Sequence, residues 1–159
     1  MDIKKSLKRQ YKASLNMLRE CIEKCPDEAW LAGEHPRNFW RIAYHALYYT
    51  HLYMMPTEDD FVAWEKHRDD SRILWDKPAV EEAYSIEETL EYLDFVAAHV
   101  GEWVDALDLE SKSTGIPWYK GMGKFEHQLV NLRHIQGHVG QLSELLMTKG
   151  IYLTWVSKA

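Results

Sequence analysis

KFEHQLVNLRHIQGHVGQLSELLMTK, residues 124–149, reads as one helix whose inner edge carries two histidines a single turn apart. Val130, Ile135, Val139, Leu142, Leu145 and Leu146 recur at helical spacing and define a buried arc. The helix starts near Gly123 or Lys124 and ends at Lys149, with Gly150 as its left-handed cap. His134 and His138, at i and i+4, point about 40° apart and fall inside that arc near one edge, beside Gln141. Two imidazoles turned into a core need partners, because a polar group buried without a hydrogen bond costs about 1–3 kcal/mol. One divalent ion satisfies both nitrogens; so does a carbonyl or a tyrosine hydroxyl for each.

A third histidine tilts that balance. Residues 37–55 read as a helix ending at Pro56, in which Ile42, His45, Tyr49 and Leu52 share an inward stripe. His45, His134 and His138 therefore form a candidate metal site. Three neutral imidazoles leave a coordination position open, as in hydrolytic zinc sites, and nitrogen ligands also suit nickel and ferrous iron. His127 lies on the same stripe two turns before His134 and is assigned to the pocket lining or to a supporting role, with Gln141, Tyr48 and Tyr49 beside it. HIQGH carries Gln136 where the zinc-peptidase motif HExxH has its water-activating glutamate, which disfavours that chemistry. His35, His51, His67 and His99 are read as surface or loop residues.

Two more long helices complete the pattern. One runs from about Asp2, its cap, to Lys24 before Pro26; the other runs from Ser85, where Ser85 and Glu88 form a capping box, to about Leu107. Residues 26–38 read as a loop. No stretch alternates as a strand does, so the expected fold is all-α, a four-helix bundle with a long crossover between the second and third long helices, in a single domain over residues 1–159. The crossover, residues 57–84, is expected to hold a short helix from Glu58 to His67 capped by Thr57. The last connector, LESKSTGIPWYKGMGK (109–124), is either a lid over the site or a surface loop whose Trp118 and Tyr119 plug the end of the bundle.

Composition narrows the partners. Of 159 residues 46% are apolar and 13% aromatic, enough for a sizeable core and a ring-lined pocket. Asp and Glu number 25 against 19 Lys and Arg, a net charge of −6, so nothing favours nucleic acid. The basic residues Lys4, Lys5, Lys8, Arg9 and Lys12 form the solvated face of an amphipathic helix. No apolar run fits a signal peptide or a membrane span. Cys21 and Cys25 sit one turn apart on one helix, where a bridge would close too short a loop to stabilise the fold, and reduced thiols indicate a cytoplasmic protein.

FWRIAYHALYY (39–49), followed far downstream by HIQGHVGQLSELL (134–146), resembles the DinB-like (damage-inducible) superfamily of metal-binding four-helix bundles. Gly140-Gln141, Trp40, the long crossover and the Trp155-Val156 ending extend the resemblance over essentially the whole chain. It departs at Gly137, where many relatives carry a further histidine; that position faces away from the ion. The resemblance implies that His45, His134 and His138 hold nickel or zinc in a solvent-open pocket, and that the protein forms homodimers. It also implies kinship with S-transferases that use a low-molecular-weight thiol such as bacillithiol or mycothiol. The resulting expectation is a metal-dependent thiol S-transferase or small hydrolase acting on a small molecule. The alternative is a non-catalytic, stress-associated bundle or dimeric binding protein with a vestigial metal site. Leu129, Gly137 and Gly140, on the outer face of the last helix, would serve a helix-to-helix contact.

Overall fold

A computed structural model describes residues 2–159, and among them all regular structure is helical, with no strand. Helix α1 spans Ile3–Glu23, α2 Asp27–Trp30, α3 Phe39–Tyr53, α4 Ile86–Ala106 and α5 Lys124–Met147. The expected caps form. The Asp2 carboxylate accepts from the Lys5 amide at 2.9 Å, and Ser85 and Glu88 close a reciprocal box at the start of α4. Gly150 adopts φ 76° while the Ile151 amide donates to the Leu146 carbonyl.

The long helices pack so that α1 lies against α4 and α5, and α3 lies against the same two. One continuous apolar cluster runs through all of them. Helix α3 is its axis, since every residue from Phe39 to Tyr53 is buried. The segment linking α3 to α4 covers the side of α3 that the other helices leave free. Tyr44 stacks on Tyr84 at 4.4 Å and its hydroxyl meets His67 Nδ1 at 2.7 Å, while the fully buried Arg41 guanidinium donates to the carbonyls of Asp70 and Ala79.

Packing corrects several expectations. His51 is 2% exposed, with Nδ1 3.1 Å from the Tyr92 hydroxyl and its ring stacked on Trp103, and His67 and His99 are half-buried; only His35 of that group is exposed. The helix expected over 58–67 shrinks to a 3-10 turn at Glu58–Asp60 with Thr57 and Asp60 capping each other. Beyond it, packing of Phe61 on Tyr48 and of Trp64 on Tyr92 overrides the local pattern. A second 3-10 turn spans Asp69–Arg72, and the expected loop after α1 contains the one-turn α2. Leu145, placed in the buried arc, is 45% exposed, because it lies about 100° around the helix from Leu146.

Polar residues also stitch α5 to its neighbours. Gln128 and Asn131 are fully buried and donate to the Tyr53 and Thr50 carbonyls of α3, and Tyr11 of α1 donates to Gln128. Lys124, 3% exposed, donates to the carbonyls of Met55, Pro56 and Thr114. It thereby clips the connector before α5 onto the end of α3. Among the described residues no helix is long and apolar enough to cross a membrane.

Candidate metal site

Helices α3 and α5 bring three imidazoles to one point. His45 Nε2 lies 3.0 Å from His134 Nε2, which lies 3.1 Å from His138 Nε2. One ligand atom from each residue falls within 4.8 Å of the others, so the group can hold a metal ion. Two nitrogens each about 2.0–2.1 Å from one ion stand about 2.8–3.4 Å apart, for bond angles between a right angle and the tetrahedral angle. The observed separations lie in that range.

The proton inventory agrees with the geometry. His45 Nδ1 donates to the Arg72 carbonyl at 2.6 Å, and His138 Nδ1 donates to Gln141 Oε1 at 2.7 Å. Both rings thus present an Nε2 lone pair to His134, whose own Nε2 can carry one proton at most. Its Nδ1 is buried without a hydrogen-bond partner. Burial, reinforced by the neighbouring His138, pulls His45 down to about 3 and His134 down to about 4, and burial lowers His138 as well. All three rings are neutral at pH 7, the form that binds metal. The contacts to Arg72 and Gln141 fix tautomer and ring orientation, as partners of metal-bound histidines characteristically do.

A cavity of about 560 Å³ opens beside the triad. His45 and His134 line it; His138 does not. Tyr48 and Tyr49 form part of its wall, and so do Trp118 and Tyr119 of the last connector. His127 does not reach the cavity. It is fully buried between Tyr53 and Tyr119, with neither ring nitrogen hydrogen-bonded, and burial pulls it down to about 4. Gln141 is exposed and acts on His138.

Four cavity residues from the segment between α3 and α4 lay outside the sequence reading of the site: Glu58, Phe61, Arg72 and Trp75. Only its length hinted at them, since a segment without helical period carries no signal of which way each side chain turns. Comparison with protein-family models, with curated proteins and with solved structures gave no match to the chain, so its reading rests on the geometry of the triad and the cavity.

Proposed function

We propose that the chain is a divalent-metal protein of the DinB-like kind, a single-domain four-helix bundle of α1, α3, α4 and α5 whose 54–85 connection is the crossover. His45, His134 and His138 are its ligands, nickel or zinc the preferred ion, and iron a third candidate. The observation that carries this reading is the convergence of the triad's Nε2 atoms while carbonyl oxygens occupy Nδ1 of His45 and His138. When bound, a divalent ion supplies Lewis acidity and lowers the pKa of a coordinated thiol or water.

The chain's own residues support thiol S-transfer, with hydrolysis of a small molecule as the second chemistry. Its two cysteines are buried, and burial pushes each thiol up to about 12, so neither serves as a nucleophile at neutral pH. The nucleophile must come from a cosubstrate, for which a low-molecular-weight thiol in a reducing cytoplasm is the natural source. Aromatic side chains, among them Tyr48, Tyr49, Trp75 and Trp118, wall the cavity beside His45 and His134. A non-catalytic dimeric role is favoured by one observation, the outer face of α5. There Leu129 is 49% exposed, and a Cβ added at Gly137 or Gly140 would meet open space, leaving room for a second copy.

Elemental analysis of protein purified without a histidine tag tests the site. The expected result is close to one nickel, zinc or iron per chain, lost in each of His45→Ala, His134→Ala and His138→Ala. Protein that stays metal-free after incubation with these ions would refute the assignment.

A further inference from the structure

Among the described residues Glu58 and Arg72 are the only charged side chains lining the cavity; the rest of its wall is aromatic, aliphatic or imidazole. They have opposite signs, yet they do not pair. The Arg72 guanidinium sits 5.5 Å from the centre of the Tyr48 ring and donates to the Asp69 carbonyl, and Glu58 takes part in no side-chain hydrogen bond or ion pair among the described residues. Tyr48, Glu58 and Arg72 all line this one cavity, so both charged groups face the same space.

We propose that this cavity takes a zwitterionic, amino-acid-type ligand, with its carboxylate on Arg72, its ammonium on Glu58 and an apolar or aromatic side group among Tyr49, Trp75 and Trp118. A simple carboxylate satisfies the guanidinium but is repelled by Glu58; a simple amine has the opposite defect. Only a ligand with both charges answers both side chains, and each contact is charge-assisted. The cavity volume, about 560 Å³, is that of a small-molecule site. Arg72 also links recognition to the triad, because its backbone carbonyl holds His45 while its side chain faces the cavity. The proposal rests on the triad being the working centre beside this cavity, but recognition itself needs only Arg72 and Glu58.

Isothermal titration calorimetry of the full chain, metal-free and metal-loaded, with L-phenylalanine, 3-phenylpropionate and 2-phenylethylamine tests it, since the three share one ring and differ in their charges. In at least one form L-phenylalanine should bind at least about tenfold more tightly than either analogue. Arg72→Gln should erase its advantage over the amine, and Glu58→Gln its advantage over the acid. Equal affinities, no binding by any of the three, or an order unchanged in both variants would overturn the proposal. Elemental analysis of the same samples separates this failure from failure of the metal reading. Arg72→Gln keeps the backbone carbonyl on His45 and should keep the metal content of the parent, whereas a wrong ligand assignment shows as a metal-free parent protein.

Discussion

Acidification of the metal-free protein should begin to destabilise it above the carboxylate range, through two histidines that bind no ion. His51 is 2% exposed and His127 0% exposed. Burial, with His99 adding repulsion, pulls His51 down to about 3; burial, with Lys124 adding repulsion, pulls His127 down to about 4. In the unfolded chain both titrate near 6.5. Below that pH the unfolded state therefore binds protons that the folded state refuses. Stability is complete above about pH 6.5 and falls as the pH drops toward the folded pKa values. Each proton costs about 1.4 kcal/mol per pH unit, so each histidine removes about 2.5 kcal/mol between pH 6.5 and 4.5. The pair removes about 5 kcal/mol, against a total of about 5–15 kcal/mol for an ordinary domain. His45 and His134 act in the same direction until an ion holds them.

Urea unfolding followed by far-ultraviolet circular dichroism from pH 7.5 to 4.5, with EDTA present, measures the slope. His127→Leu should flatten it by about 1.4 kcal/mol per pH unit. Unchanged stability between pH 6.5 and 4.5, or a His127 imidazole that titrates near 6.5 in the folded protein by NMR, would refute the reasoning.

Gln141→Ala removes the acceptor from His138 Nδ1 and should weaken metal affinity by about 10–100-fold in competition with a chelating dye, with one ion still bound at saturation. Lys124→Ala strips the donor from three carbonyls and should destabilise the fold by about 2–4 kcal/mol, seen as a fall in Tm of about 5–15 °C.

The boundaries of α1, α4 and α5 were readable because caps and breakers stand at their ends: Asp2, Ser85 with Glu88, and Gly150. The triad was readable because an i, i+4 pair and an inward histidine on a second helix meet only if both faces are turned to one core. His51 was not. Its burial comes from Tyr92, Phe95 and Trp103 of α4 together with Phe61 of the aperiodic cover, and neither the facing of α4 onto α3 nor the path of that cover is written in the local pattern of α3. Gln128 and Asn131 were missed for a related reason. A buried amide on an apolar helix looks like a surface residue until its acceptor, here a carbonyl of α3, is in view. Arg72 and Glu58 belong to the same unreadable segment as the cover.

That α3 has no outward face bears on how such a protein can change over evolutionary time. A substitution on α5 can exploit a solvent side, where Leu129, Gly137 and Gly140 have room around them. A substitution anywhere from Phe39 to Tyr53 falls on a buried position and must be accommodated by packed neighbours, or by the cavity where His45, Tyr48, Tyr49, Leu52 and Tyr53 face it. New ligand preferences are therefore reached most cheaply through the aperiodic segment that supplies Glu58, Arg72 and Trp75, which can be redrawn while the helix carrying His45 stays as it is.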